Sequence, residues 1–249
     1  QIETWKEFLE KYASKQGTDA KVVEAHLRLG RLHQQKGSWT RAKKEYEATI
    51  EEFTSRGLAI GSRVATFPAQ AKFALVDREF ASYEKLKLKG SLQNQGRIIQ
   101  KKREIIQQLE GRYVDVFNYK AFDWTIAAYF RIGQLYQEFA KMLYDAPEPQ
   151  GLSDDEMDTY ITMIEDEALK WENVAVERYG VTVTQARRLK IVNEWTFRAL
   201  KMLNKYKPQE YPLFKSEKRS YDFGLGMPIQ LSPNAEVAPT QPDEPPVDP

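Results

Sequence analysis

Residues 26–54 read HLRLGRLHQQKGSWTRAKKEYEATIEEFT, and they describe two helices joined by a tight turn. Leu29-Gly30 on the first helix and Ala42 on the second put small residues where two packed helices must cross. Gly37-Ser38 breaks the chain between them. His26, His33 and Tyr46 take the larger positions at helical spacing. A helical hairpin is therefore the expected unit, and the rest of the chain is read against it.

Upstream, residues 3–13 read ETWKEFLEKYA, with Trp5, Phe8, Leu9 and Tyr12 on one face at helical spacing. Gly17-Thr18-Asp19 ends that helix and caps the next. An internal comparison links it to later stretches. Leu9-Glu-Lys-Tyr12, Ile50-Glu-Glu-Phe53 and Val176-Glu-Arg-Tyr179 share one apolar-charged-charged-aromatic ending, with Ala42 and Ala168 at matching distances before it. Recurrence of this kind signals a repeat architecture. The chain opens inside a half-repeat at Gln1, which leads us to expect a processed or excised piece of a longer array.

Downstream, Arg56 to Pro68 carries Gly57 and Gly61 and reads as a loop. Long helices are expected over 69–117, interrupted between Gly90 and Gly96. Ala71, Ala74, Val76, Phe80 and Tyr83 form one apolar face there, and Ile98, Ile105, Ile106, Leu109, Tyr113 and Val116 another. Asp123 is the expected cap of a further helix holding Tyr129-x2-Ile132-Gly133-x2-Tyr136. Ala146 to Gly151 is an inserted loop, and Ser153-x2-Glu156 is a capping box. Its helix is expected to stop at Tyr179 with Gly180 as C-cap. Thr182-x2-Gln185 then reads as a second capping box, opening a helix through Leu203 that Pro208 and Pro212 terminate. Seven of the twelve prolines follow residue 227. The expected organisation is a helical domain over 1–207 and a proline-rich tail or linker over 208–249. Residues 221–227, YDFGLGM, are apolar enough to dock back on the array or to pair with a partner.

The hairpin resembles a tetratricopeptide (TPR) repeat, whose pattern runs aromatic, Leu-Gly, Tyr, then Ala-x3-aromatic. His26 stands in the usual Trp slot, and Thr54 stands where a closing proline is usual. The resemblance implies an all-α solenoid of helical hairpins, a right-handed superhelix whose activity is affinity. Residues 120–136, KAFDWTIAAYFRIGQLY, with Ala146-Pro-Glu-Pro and Asn193-Glu-Trp, are similar to envelope TPR proteins of delta-proteobacteria. Those include gliding-motility components working in the periplasm near the outer membrane. A scaffold there would bind protein partners of a larger envelope complex, and a cytoplasmic setting is the alternative. Ligands of TPR proteins lie in the concave groove, which by position implies Glu24, Leu27, Arg31, Gln34 and Gln35. In the later unit it implies Ala127, Phe130, Gln134, Gln137 and Glu138.

Composition bounds the alternatives. Lys plus Arg number 37 against 36 acidic residues, so net charge favours no particular partner. No apolar run approaches the ~18 residues of a membrane span. Cysteine is absent, which removes thiol nucleophiles and thiolate ligands. His26 and His33 take packing positions in the hairpin, with Glu24 the one carboxylate nearby, so no metal site, histidine triad or cofactor is expected. The acidic cluster Asp154-Asp155-Glu156-Met157-Asp158 opens a helix, where negative charge suits the dipole. A glycan-acting enzyme or accessory domain would need two carboxylates facing one cleft, for instance Glu138 and Glu165. The basic run containing Lys85, Lys87, Lys89, Arg97, Lys101, Lys102 and Arg103 offers a tether to an anionic surface. It lacks the stacking aromatics that nucleic-acid binding requires. Trp39 and Trp195 remain as exposed anchors for a partner.

Overall fold

The computed structural model describes residues 1–213. Among them the chain forms α1 (Ile2–Tyr12), α2 (Asp19–Gln35), α3 (Trp39–Ser55), α4 (Thr66–Glu84), α5 (Leu92–Val114), α6 (Phe122–Tyr144), α7 (Asp154–Leu189) and α8 (Glu194–Tyr206). Two 3-10 turns, Arg63–Ala65 and Asp115–Tyr119, lead into α4 and out of α5. No strand occurs among the described residues, so the fold is all-α. Of the proline-rich segment expected over 208–249, residues 214–249 lie outside those described, and with them the 221–227 stretch.

The hairpin read from residues 26–54 is α2–α3, and its core contact is the close approach of Gly30 to Tyr46. A Cβ on Gly30 would fall 2.6 Å from the Tyr46 ring. The same contact recurs in α6–α7, where a Cβ on Gly133 would fall 2.7 Å from the Tyr179 ring. Both tyrosine hydroxyls then reach back to a glutamine one turn along the first helix. Tyr46 donates to Gln34 at 2.5 Å, and Tyr179 donates to Gln137. Thr49 and Thr182 are buried in matching places, each donating to the carbonyl four residues earlier. The hairpins even end alike. Gly57 and Lys190 adopt φ of +62° and +56°, and the next residues, Leu58 and Ile191, donate to the carbonyls of Phe53 and Ala186.

This recurrence corrects the register of the sequence comparison, which set Phe53 rather than Tyr46 opposite Tyr179. The two alignments differ by about two helical turns, a shift that returns nearly the same helix face toward the core. Apolar periodicity therefore cannot tell them apart, whereas the glycine-to-ring contact can.

A second correction follows from the first. α7 does not stop at Tyr179 but runs unbroken to Leu189, and Gly180 lies inside it with open space where a Cβ would be. Thr182 and Gln185 form no capping box, since the Thr182 hydroxyl donates to Arg178 O at 3.0 Å. Burial of Thr182, Val183 and Ala186 outweighs the ~1 kcal/mol that an interior glycine costs. The true break is Lys190, and Asn193 caps α8 by accepting from the amides of Trp195 and Thr196. Asp123 is likewise no cap. α6 opens at Phe122, and Asp123 instead accepts from Asn193 Nδ2 at 3.0 Å, joining the starts of α6 and α8. The loop expected through Pro68 ends at Thr66, because proline in the first turn of α4 forfeits no intrahelical bond. The expected interruption falls at 85–91, and Gly96 lies within α5. The Ser153–Glu156 capping box forms as read.

Phe73, Phe80, Leu109, Leu135, Phe139 and Tyr160 lie in the interior between α4, α5, α6 and α7. The α2–α3 hairpin has a smaller core of Leu27, Ala42 and Tyr46, closed by Ala71 of α4. α1 buries no residue; Trp5 and Phe8 remain partly exposed on it.

Candidate functional site

Where α4 crosses α2 it leaves a cleft of about 670 Å³, walled at its far side by α6 and α8. α4 supplies its floor because Gln70, Phe73, Ala74 and Asp77 recur every three or four residues along one stripe. Phe73 anchors that floor. Its ring centre lies 5.2 Å from Trp124, 5.6 Å from Trp195 and 5.7 Å from Tyr113. Trp39, the first residue of α3, closes the opposite end at 6.3 Å from Tyr46. Three half-buried tryptophans thus present ring surface to one open space.

The charges around it are unequally satisfied. Asp77 accepts from Arg131 Nη2 at 3.0 Å and from the Tyr113 hydroxyl at 3.2 Å, which fixes α4 against α5 and α6. The Tyr113 hydroxyl is held well above its usual pKa by burial and then by Asp77, so it stays protonated as that donor. Arg78, in contrast, lies 5.3 Å over the Trp39 ring and makes no ion pair among the described residues. Arg31, lining the cleft from α2, is exposed and equally unpaired among them. Burial pushes the Tyr46 hydroxyl up to about 12, with Arg31 pulling weakly the other way.

The five expected groove residues of the first unit divide three to two. Arg31, Gln34 and Gln35 do line the cleft. Leu27 does not, because α4 covers it and it packs with Ala71 in the core. Glu24 lies away from the cleft, bridging Lys21 at 2.9 Å and Arg28 at 3.2 Å. In the later unit the groove is closed. Ala127 and Phe130 are buried, the latter 5.6 Å from Trp195 and 5.4 Å from Tyr179. Gln134 accepts from Arg131 at 2.6 Å, and Gln137 accepts from Tyr179. Glu138 sits beside Lys102 and Lys141, its pKa raised chiefly by burial. Neither Glu138 nor Glu165 lines the cleft.

The basic stretch is also reapportioned. Lys101 is exposed, but Lys102 is 1% exposed and donates to the carbonyls of Leu86 and Glu138, each at 3.2 Å. It lies on the apolar stripe of α5, one turn from Ile98 and Ile106, with its ammonium 4.5 Å over the Tyr83 ring. Arg103 pairs with Glu167 and lies 5.7 Å over Trp171. Lys102 and Arg103 are therefore internal ties between helices, and of the three expected tether residues only Lys101 faces outward freely. His26 pairs with Glu45 at 2.8 Å, and His33 is buried.

Sequence reasoning missed Gln70, Phe73, Asp77, Arg78 and Trp124. The first four share a stripe on α4 that was visible as a spacing, but which side of α4 turns toward α2, and that Trp124 of α6 meets it there, are tertiary choices. No family model matches the chain, and neither a curated protein nor a solved structure matches it.

Proposed function

We propose that this chain is a non-catalytic protein-interaction scaffold, a TPR-like solenoid of helical hairpins that binds an extended peptide or partner helix. One observation carries the reading: the cleft between α2 and α4 gathers three half-buried tryptophans beside arginines without ion pairs and glutamine amides. Ring surface supplies contact area at low entropic cost, and primary amides satisfy the alternating donors and acceptors of a peptide backbone. Its volume lies within the range of natural ligand clefts. The recurring Gly30–Tyr46 and Gly133–Tyr179 hairpins support the repeat reading. The envelope setting, periplasmic or at the outer membrane, rests only on the resemblance carried by residues 120–136, Ala146-Pro-Glu-Pro and Asn193-Glu-Trp. No helix among the described residues is long and apolar enough to cross a membrane; membrane association through partners is part of the proposal.

A display selection of random peptides against the intact chain tests the proposal. Recovered peptides should bind the wild type and lose most of their affinity for a Trp39→Ala/Trp124→Ala variant that keeps its helical circular dichroism. Peptides that bind both proteins equally would move the site elsewhere.

A further inference from the structure

We infer that the cleft takes an acidic, proline-bearing segment of a partner protein, an inference that rests on the peptide-binding reading above. Asp77, the carboxylate on the cleft floor, is already engaged by Arg131 and Tyr113. Arg31 and Arg78 are the lining cations, and neither has a carboxylate partner among the described residues. The cleft lining therefore holds two cations without a carboxylate partner and no free negative charge among the described residues. Guanidinium groups beside ring faces suit carboxylates, because each offers a planar fork of donors and its charge is not titrated away.

Shape supplies the second half of the argument. Trp39 stands at one end, with Trp124 and Trp195 at the other, and Phe73 and Ala74 lie between them. Slots between aromatic rings accept proline rings, and a proline-bearing segment is already extended as polyproline II, so binding orders little additional chain. Gln34, Gln35 and Gln70 can bond the exposed carbonyls of such a segment, whose backbone makes no hydrogen bonds of its own. A basic track for nucleic acid would need more than two free cations in a row.

The probe is a fluorescein-labelled peptide PDEPPVDP, compared with its neutral counterpart PNQPPVNP by fluorescence anisotropy. The chain's own residues 242–249 have the probe's sequence. Binding is therefore measured on the full chain both as it stands and with Asp243→Asn, Glu244→Gln and Asp248→Asn. We expect the acidic probe to bind about tenfold or more tightly than the neutral one, the equivalent of one good charged pair. Arg31→Gln/Arg78→Gln should erase that preference, whereas Lys101→Gln should leave it unchanged. Added salt should narrow it. Equal affinity for both probes, or a preference surviving the double arginine variant, overturns the inference. So does a single-stranded oligonucleotide that binds through these arginines when the peptide does not. If neither probe binds while display-selected peptides still require Trp39 and Trp124, the acidic assignment falls and the scaffold reading stands. If selected peptides fail as well, both fall together.

Discussion

Gly30 and Gly133 set how closely the two helices of each hairpin approach. Their missing side chains admit the faces of Tyr46 and Tyr179, whose hydroxyls are then aimed at Gln34 and Gln137. A methyl group at either glycine would force a buried ring to move, so Gly133→Ala should destabilise by about 1–3 kcal/mol in chemical denaturation, despite alanine's better helix propensity. A gain in stability would mean that the ring has somewhere to go. Lys102 is the other residue whose position has a measurable consequence. Burial lowers its pKa to about 8, with partial support for the charged form from Glu138 and Glu84 and a further lowering by repulsion from Lys141. The unfolded chain holds its proton to higher pH than the folded one. Between about pH 8 and the ordinary lysine value the unfolded state therefore binds more protons, and stability contributed by this group rises with pH. Relative to Lys102→Met, the wild type should gain stability between pH 7.5 and 9.5, measured by urea unfolding. A difference that stays flat over that range would show an amine that does not titrate there.

At the scale of the element, α7 shows how packing overrides local signals. It carries a glycine and a plausible second cap within its length, yet it remains helical because its last turns bury Thr182, Val183 and Ala186. Gly180 touches nothing, so Gly180→Ala should raise stability by about 0.5–1 kcal/mol, the opposite sign to the change at Gly133. Lys190 closes the same helix at φ +56°, where Gly57 stands in the earlier hairpin. Lys190→Gly should stabilise by about 1 kcal/mol by relieving the crowding of a left-handed side chain. Thermal melts of the two variants check both signs. If Gly180→Ala instead destabilised, a bend at that glycine would be part of the native helix.

For the described part of the molecule, Trp195 joins regions distant in sequence. Its ring meets Phe73 of α4 and Phe130 of α6, and Arg131 lies 5.4 Å over it. Trp195→Ala should cost about 2–4 kcal/mol and also weaken peptides selected on the cleft. Trp39→Ala, at the opposite end and less enclosed, should weaken those peptides with a smaller loss of stability. Equal losses from both variants would mean that the cleft and the core are not separable.

Residues 26–54 by themselves determined a hairpin and its crossing point, because a small residue at a helix crossing and a glycine turn are local requirements that few other structures share. The helix count and the all-α class followed from periodicity in the same way. Half of the first unit's cleft, Arg31, Gln34 and Gln35, was legible once that hairpin was read. Lys102 was legible too, since it sits on the apolar stripe of α5, but its charge drew attention to a surface it does not reach. Only tertiary structure decided the register of the second hairpin, the continuity of α7 and the face of α4 that floors the cleft. The physical reason is one and the same. A helix repeats its faces every two turns, so the pattern names the faces, while the neighbours that press on them choose which are buried, which continue and which stay open.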